Sequence, residues 1–174
     1  MLRGVRYLIL VLVVAGCEIE PVASTSPQPP YERIASATLG TDEILLELVA
    51  PERIVGLSPF CDDPSYSNIL DKSKTVKGRV QAQAEQILVM NPDIVVLATY
   101  NNPDFISLIE RAGISTLKVG SFRTIEEIFG NIERIGNALS VPEKATRIIE
   151  DGRQRIQKIG RTVAGLKKPS VLYL

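Results

Sequence analysis

The chain has 174 residues, and its 20 basic and 20 acidic side chains leave no net charge. It contains two cysteines and no histidine. The absence of histidine excludes the Ser-His-Asp and Cys-His arrangements of nucleophilic catalysis and removes the usual ligand of a zinc or copper site. A neutral chain without a basic block offers no electrostatic basis for binding nucleic acid, and we expect no cofactor.

The first residues have the layout of an export signal. Arg3 and Arg6 precede an apolar run that is too short to span a bilayer and that ends in small residues. The four residues ending at Cys17 resemble the lipobox of bacterial lipoproteins, in which the cysteine is acylated. We therefore expect a signal peptide at 1–16 and a lipidated Cys17, with a plain signal peptide and a chance cysteine as the alternative.

This layout predicts an exported chain, in the periplasm or at the cell surface, held on a membrane by its lipid. After Cys17, the rest of segment 17–32 is rich in proline, serine and threonine and has few large apolar groups. A segment of this composition does not build a core. We expect it to be a flexible tether.

From residue 33 onward, short β-branched runs alternate with helical stretches. The pattern predicts strands at 33–37, 53–57, 93–98 and 115–119, a short strand at 75–77, and helices at 42–49, 82–90, 103–112 and 124–139. Segment 58–72 is predicted as a polar loop. Thr41 is the expected N-cap of the first helix, with Asp42 and Glu43 at its positive end. Strands and helices in alternation predict a parallel α/β sheet with its ligand crevice at the carboxyl ends of the strands.

Residues 142–166 carry apolar side chains at steps of three, four and seven, which predicts one long helix of about 36 Å. Pro169 ends this helix, and 170–174 have the composition of another strand.

Four stretches in this order resemble the amino-terminal lobe of the periplasmic binding proteins that serve ABC importers of iron chelates and cobalamin. They are RIASATLGTDEILLEL at 33–48, RIVGLSPFCDDPS at 53–65, VKGRVQAQAEQILVMNPDIVVLA at 76–98, and the long helix before KPSVLYL. The resemblance implies a Rossmann-like α/β lobe at 33–140, a long interlobe helix at 141–168, and the start of a second, apparently missing lobe at 169–174.

The resemblance also implies a function. A protein of this family captures a metal chelate or corrinoid and delivers it to a membrane permease and its ATPase, without chemistry of its own. The ligand stays open among ferric siderophore, haem and cobalamin. An exported enzyme, such as a hydrolase that uses Asp62 or Asp63, and a structural surface lipoprotein are the alternatives.

The candidates for binding the ligand are Thr38, Ser58, Phe60 and Tyr100 in the predicted crevice loops, and Arg79, which follows Gly78. Tyr66 and Asn101 are weaker candidates. Aromatic rings at the end of a strand can form a flat wall against a chelate or corrin. By the resemblance, Arg79 takes the place of a siderophore-binding arginine, which favours an anionic iron chelate. By the same resemblance, Glu85 is expected on the lobe surface, where it docks to arginines of the permease.

Overall fold

The computed structural model describes residues 31–81, 84–120 and 122–172. The predicted signal peptide, the lipidated Cys17 and nearly all of the tether lie outside the described residues. The last two positions of the predicted tether, Tyr31 and Glu32, form hydrogen bonds with residues further along the chain. The carbonyl of Tyr31 accepts hydrogen bonds from Arg53, and the amide of Glu32 donates to Asp93.

Four parallel strands form one sheet, in the order β2-β1-β3-β4. They are β1 (Ile34–Ser36), β2 (Ile54–Gly56), β3 (Ile94–Ala98) and β4 (Ser115–Val119). β3 lies at the centre of the sheet, and every one of its residues is buried. This matches its uninterrupted apolar sequence, because a central parallel strand is covered on both faces.

Apart from one short helix that begins in the predicted polar loop at 58–72, the helices follow the strands in the order that the sequence predicts. They are α1 (Leu39–Leu48), α2 (Leu70–Ser73), α3 (Ala84–Met90), α4 (Pro103–Arg111), α5 (Ile125–Ala138) and α6 (Pro142–Val163). The predicted α/β class with a parallel sheet and flanking helices is confirmed. Within the described residues, no helix is both long enough and apolar enough to cross a bilayer.

The core has two layers, one on each face of the sheet. Side chains of alternating strand positions divide between them, so that Val96 joins one layer and Val95 the other. The first layer packs α1 and α5 on the sheet, and the second packs α3 and α4. The loops that follow β1, β2 and β3 meet at the carboxyl ends of these strands.

Helix α6 differs along its length. Near its start, Ala145 is buried and Ile148 and Ile149 are half-buried against the first layer. From residue 153 to residue 172, every described side chain is exposed. The apolar stripe continues there through Ile156, Ile159, Val163 and Leu166, which we call the distal stripe.

Local predictions failed at three places. Thr38, not Thr41, is the N-cap of α1: its backbone is extended and its hydroxyl accepts from the amide of Thr41, which is itself buried inside the helix. No strand forms at 75–77, because the amides of Thr75 and Val76 bond back to 72 and 73 in a turn. Within 164–172, no strand follows α6 either.

The polar loop predicted at 58–72 contains two short helical segments, the 3-10 turn Pro59–Asp62 and α2. Instead of a strand at 75–77, a single parallel bridge forms later in the chain, between Leu57, the residue after β2, and Arg79. This bridge brings the segment before α3 next to the loop that follows β2.

Candidate functional site

A concavity of about 330 Å³ lies at the carboxyl ends of β1, β2 and β3. Three aromatic side chains around it, Phe60, Tyr66 and Tyr100, have 57 %, 67 % and 67 % of their surface exposed. The other lining residues are Ala37, Thr38, Leu39, Gly40 and Asn101. The structure therefore brings together three of the five residues proposed from the sequence for ligand binding, together with both weaker candidates. No lining residue carries a charge, and we call this feature the aromatic concavity.

The polar side chains of the aromatic concavity are largely occupied by the backbone beneath it. The Thr38 hydroxyl lies 2.8 Å from that of Thr41 and caps α1, and Thr38 is itself buried. The Asn101 carbonyl oxygen accepts from the amide of Ala98 at 2.7 Å. These bonds fix the loops after β1 and β3, so the groups most exposed to a ligand are the aromatic rings.

Ser58 lies beside the aromatic concavity but not in it. It is buried, and its amide and hydroxyl both donate to the carboxylate of Asp42, the hydroxyl at 2.5 Å and the amide at 3.1 Å. Asp42 lies in the first turn of α1. The bond therefore ties α1 to the loop after β2, directly before the turn that carries Phe60.

Asp42 is a fully buried carboxyl group. Burial raises its pKa to about 6 from an ordinary 3.8, although hydrogen bonds from Ser36 and Ser58 and the charge of Arg79 favour the ionised form. At neutral pH the group is mainly ionised and accepts from Ser58. The expected helix-end position is correct, but the side chain also joins two elements beneath the site.

Arg79 contacts a carboxylate of its own chain instead of facing the aromatic concavity. Its Nε donates to Asp62 Oδ2 at 2.6 Å and its Nη2 to Asp62 Oδ1 at 2.7 Å. The hydrogen bond from Arg79 holds the pKa of Asp62 below its ordinary value. The positive charge of Arg79, which the sequence suggested as a site for an anionic ligand, is therefore neutralised by Asp62.

The neighbouring acids and thiol have local roles. An Asp62 carboxylate held ionised by an arginine is poorly suited to general acid catalysis, and Asp63 accepts from the amide of Ser65 in a tight turn. Cys61 is buried, and burial raises the pKa of its thiol to about 11. Among the described residues, no three His, Cys, Asp or Glu side chains are grouped as a metal site.

A larger hollow of about 630 Å³ lies between α1 and segment 67–72. Its lining includes Glu43, Glu47, Asp71 and Lys72, and Lys72 pairs with Glu47 across it. It contains none of the residues proposed from the sequence for ligand binding. Apolar and aromatic walls are typical of a site for a bulky organic ligand, and they occur in the aromatic concavity.

Glu85 lies on the outer surface of α3. It is exposed, while Ile87 two positions later is fully buried and fixes which face of the helix is covered. Leu88 and Val89 are also exposed, Val89 to 86 %. Glu85 does not line the aromatic concavity.

The inward orientation of Asp42 was missed from the sequence, although a signal was present. Leu45 and Leu48, three and six positions later, are both buried, so the helical period places Asp42 on the inner face. Glu43 lies about 100° further round the helix and is only half-buried.

Comparison with known proteins identifies the family of the chain. The sequence profile described as "Periplasmic binding protein" matches residues 34–174. The vitamin B12-binding protein of Vibrio cholerae serotype O1 is 27% identical over 131 residues, which are 75% of this chain and 46% of that protein. An uncharacterized ABC transporter substrate-binding lipoprotein of Bacillus subtilis is 24% identical over 146 residues, 80% of this chain and 45% of that one. The chain thus spans about half the length of these relatives.

A solved structure shares the fold. The crystal structure of a periplasmic heme binding protein from Pseudomonas aeruginosa superposes with a TM-score of 0.65 at 25% identity, covering 77% of this chain and 47% of that one. The profile match covers every strand and helix described above. The chain is a member of the periplasmic binding protein family.

Proposed function

We propose that this chain is the ligand-binding lobe of the solute-binding component of an ABC importer, and that it carries out no chemistry itself. The observation that carries the proposal is the aromatic concavity: three exposed rings, two from the loop after β2 and one from the loop after β3, surround one hollow at the carboxyl ends of the strands. Exposed rings on a fixed backbone offer flat apolar surface to a bulky ligand at little cost in side-chain entropy. A relative named as an ABC transporter substrate-binding lipoprotein supports the assignment.

The ligand that fits this surface best is a large macrocycle with an uncharged rim. None of the residues that line the aromatic concavity is charged, and Arg79 is paired with Asp62. An anionic iron chelate would find no unpaired cation in this lining, and carrying its charge out of water without one is unfavourable. A corrinoid, whose rim carries neutral amides, fits better, in keeping with a relative named as a vitamin B12-binding protein. This choice replaces the preference for an anionic chelate that Arg79 suggested in the sequence.

Calorimetric titration tests the function. We expect cyanocobalamin to bind this single lobe with a Kd of about tens of micromolar, and Phe60→Ala and Tyr100→Ala each to weaken binding about five- to twentyfold. Ile159→Ala, which shortens an exposed side chain on α6, is the matched control and leaves the affinity unchanged. Haemin and a ferric tris-catecholate are titrated in parallel. Tighter binding of the tris-catecholate than of cyanocobalamin would overturn the choice of ligand, and equal losses in all three variants would overturn the site.

Docking to the importer is proposed through Glu85. Its exposed carboxylate, next to exposed apolar surface at Leu88 and Val89, suits a partner that carries arginines. Glu85→Gln should weaken association with the permease, more strongly at low salt, and leave ligand affinity unchanged. A loss of ligand affinity in this variant would assign Glu85 to the ligand site instead.

Membrane anchoring is proposed through a lipid on Cys17. In a bacterial host, Cys17→Ser should abolish acyl labelling and leave the signal uncleaved, because the thiol is the acceptor of the lipid. Acyl labelling that persists in the variant would contradict the lipoprotein proposal.

A further inference from the structure

The position of Phe60 depends on the contacts that hold its turn to the rest of the fold. The Phe60 ring is more than half exposed, so side-chain packing holds it only in part, and its position depends on the 3-10 turn Pro59–Asp62. The turn is tied before its start by the bonds between Ser58 and Asp42, and Cys61 is buried in the core. Its last residue, Asp62, is about half exposed and has Arg79 as its partner.

Asp62 and Arg79 form a bidentate ion pair. Nε and Nη2 of the guanidinium reach the two different carboxylate oxygens at 2.6 and 2.7 Å. This geometry fixes the direction of both planar groups as well as their separation. The side chain of Arg79 is mostly covered, with 22 % of its surface exposed, whereas that of Asp62 is 52 % exposed, so water reaches the pair from the carboxylate side.

The rest of the guanidinium is bound to backbone. Nη1 donates to the carbonyls of Val76 and Gly78 at 2.6 and 2.9 Å, and Nη2 lies 3.4 Å from the carbonyl of Ser73. The backbone around Arg79 is anchored to the end of β2 by bonds from Leu57 to Gly78 and from Val80 to Leu57. Arg79 therefore connects the Phe60 turn to a segment that is itself fixed to the sheet.

We propose that Asp62 and Arg79 form a brace that holds the Phe60 ring in place for the ligand, which makes Arg79 a positioning residue and not a ligand contact. This inference rests on the proposed function of the aromatic concavity. Two observations favour a positioning role over a ligand contact. All three guanidinium nitrogens donate to groups of this chain, and Arg79 does not line the aromatic concavity.

A single-tryptophan reporter tests the brace without any ligand. The chain has no tryptophan, so Phe60→Trp introduces one fluorophore at the wall. In this background, Arg79→Gln and Asp62→Asn should each enlarge the fast, nanosecond component of the anisotropy decay by about twofold. Lys74→Gln, which removes a neighbouring ion pair with Asp71, is the matched control and should leave the decay unchanged. An unchanged decay in both brace variants would overturn the inference.

Ligand affinity provides the second readout, in the chain with its native Phe60. With cyanocobalamin, Arg79→Gln and Asp62→Asn should each weaken binding about five- to tenfold. The double variant should bind no more weakly than the single variant that has the lower affinity, because both changes remove the same ion pair. The affinity of Arg79→Lys should lie between those of native protein and Arg79→Gln, because lysine keeps the positive charge but cannot form the bidentate pair of a guanidinium. If Arg79 instead bound the ligand, Asp62→Asn would strengthen binding of the ferric tris-catecholate, and Arg79→Lys would retain most of it; that result would overturn the inference.

The two readouts separate failure of the brace from failure of the proposed function. If native protein binds none of the three probes but the anisotropy responds to both brace variants, the brace stands as a structural device and the proposed function is wrong. If native protein binds cyanocobalamin and neither brace variant changes affinity or anisotropy, the function stands and the brace is wrong. Circular dichroism of each variant confirms that the sheet is retained.

Discussion

The aromatic concavity and the distal stripe both expose large apolar side chains, but the backbone beneath them is supported differently. At the aromatic concavity, side-chain hydrogen bonds tie the loop that carries Phe60 to α1 through Asp42, and the loop that carries Tyr100 to β3 through Asn101. The distal stripe on α6 extends beyond residue 153, where every described residue is exposed. Apolar surface on a fixed backbone can serve as a preformed ligand site, because little order has to be gained on binding. The distal stripe lacks that support.

The first half of α6 packs against α5, which the distal half does not. Phe129 of α5 is buried beneath Gly152, and Arg153 lies over its ring at 5.3 Å. The same helix changes within one turn from a packed to an exposed element. Stability effects should therefore follow the position of a substitution along the helix and not its chemistry alone.

The largest effect is expected at Asp42, beneath the aromatic concavity. Because its pKa is raised in the folded state, the proton is held more tightly there than in the unfolded chain, so stability from this group is greatest in acid and is lost as pH rises. Between about pH 4 and pH 7, the free energy of unfolding should fall by about 2 to 3 kcal/mol from this group. Urea titrations at several pH values measure the change.

Asp42→Asn is the matched variant, since it keeps an acceptor for Ser58 and removes the titration. In this variant, the free energy of unfolding should fall much less between about pH 4 and pH 7. An identical slope in native protein and variant would show that Asp42 is not the titrating group. Below about pH 4, stability should fall in both, because acids with lowered pKa such as Asp62 become protonated.

The next effect is expected in the packed half of α6. A Cβ added at Gly152 would lie 2.9 Å from the ring of Phe129, which is itself buried. Gly152→Ala should therefore lower the free energy of unfolding by about 1 to 2 kcal/mol, even after the gain in helix propensity. Thermal unfolding measures it, and a stabilised variant would mean that the ring moves aside freely.

Gly160→Ala makes the same change eight positions later and should act in the opposite direction. Nothing lies within 4 Å of an added Cβ at Gly160. The variant should stabilise the distal helix by about 0.5 to 1 kcal/mol, which slows amide exchange around it about two- to fivefold. Faster exchange in the variant would show that a neighbour covers this position.

The smallest effect is expected in the distal stripe itself. Ile159 has 61 % of its surface exposed, so Ile159→Gln removes no packed contact. The free energy of unfolding should change by less than about 0.5 kcal/mol in urea titration. A loss above about 1 kcal/mol would show that the stripe is covered in solution and would remove the contrast between the two regions.

The sequence was sufficient for the order of the four strands and of the five longer helices, but it predicted an extra strand at 75–77 and missed α2. β3 and β4 match their predicted ranges to within a residue, because uninterrupted apolar runs and β-branched residues leave little ambiguity. The N-cap of α1 was misplaced by three residues, since Thr38 and Thr41 are both suitable caps and only the backbone conformation separates them.

The candidate site was predicted less completely. Phe60 and Tyr100 were identifiable because they follow strands of a parallel sheet, whose carboxyl ends share one edge. The pairing of Arg79 with Asp62 joins residues 17 apart along the chain and depends on the path of an irregular loop, which has no periodic signal. The domain boundaries, the ligand contacts and the lipid on Cys17 stay predictions.

Amide chemical shifts of the isotope-labelled protein, recorded during titration with cyanocobalamin, test most directly which apolar region binds the ligand. We expect the perturbed amides to cluster around the aromatic concavity, at Thr38, Leu39, Phe60, Tyr66 and Asn101, with little change in the distal stripe. Perturbations concentrated at Ile156, Ile159 and Val163, with the loops after β1, β2 and β3 unaffected, would contradict the assignment of the aromatic concavity as the ligand site.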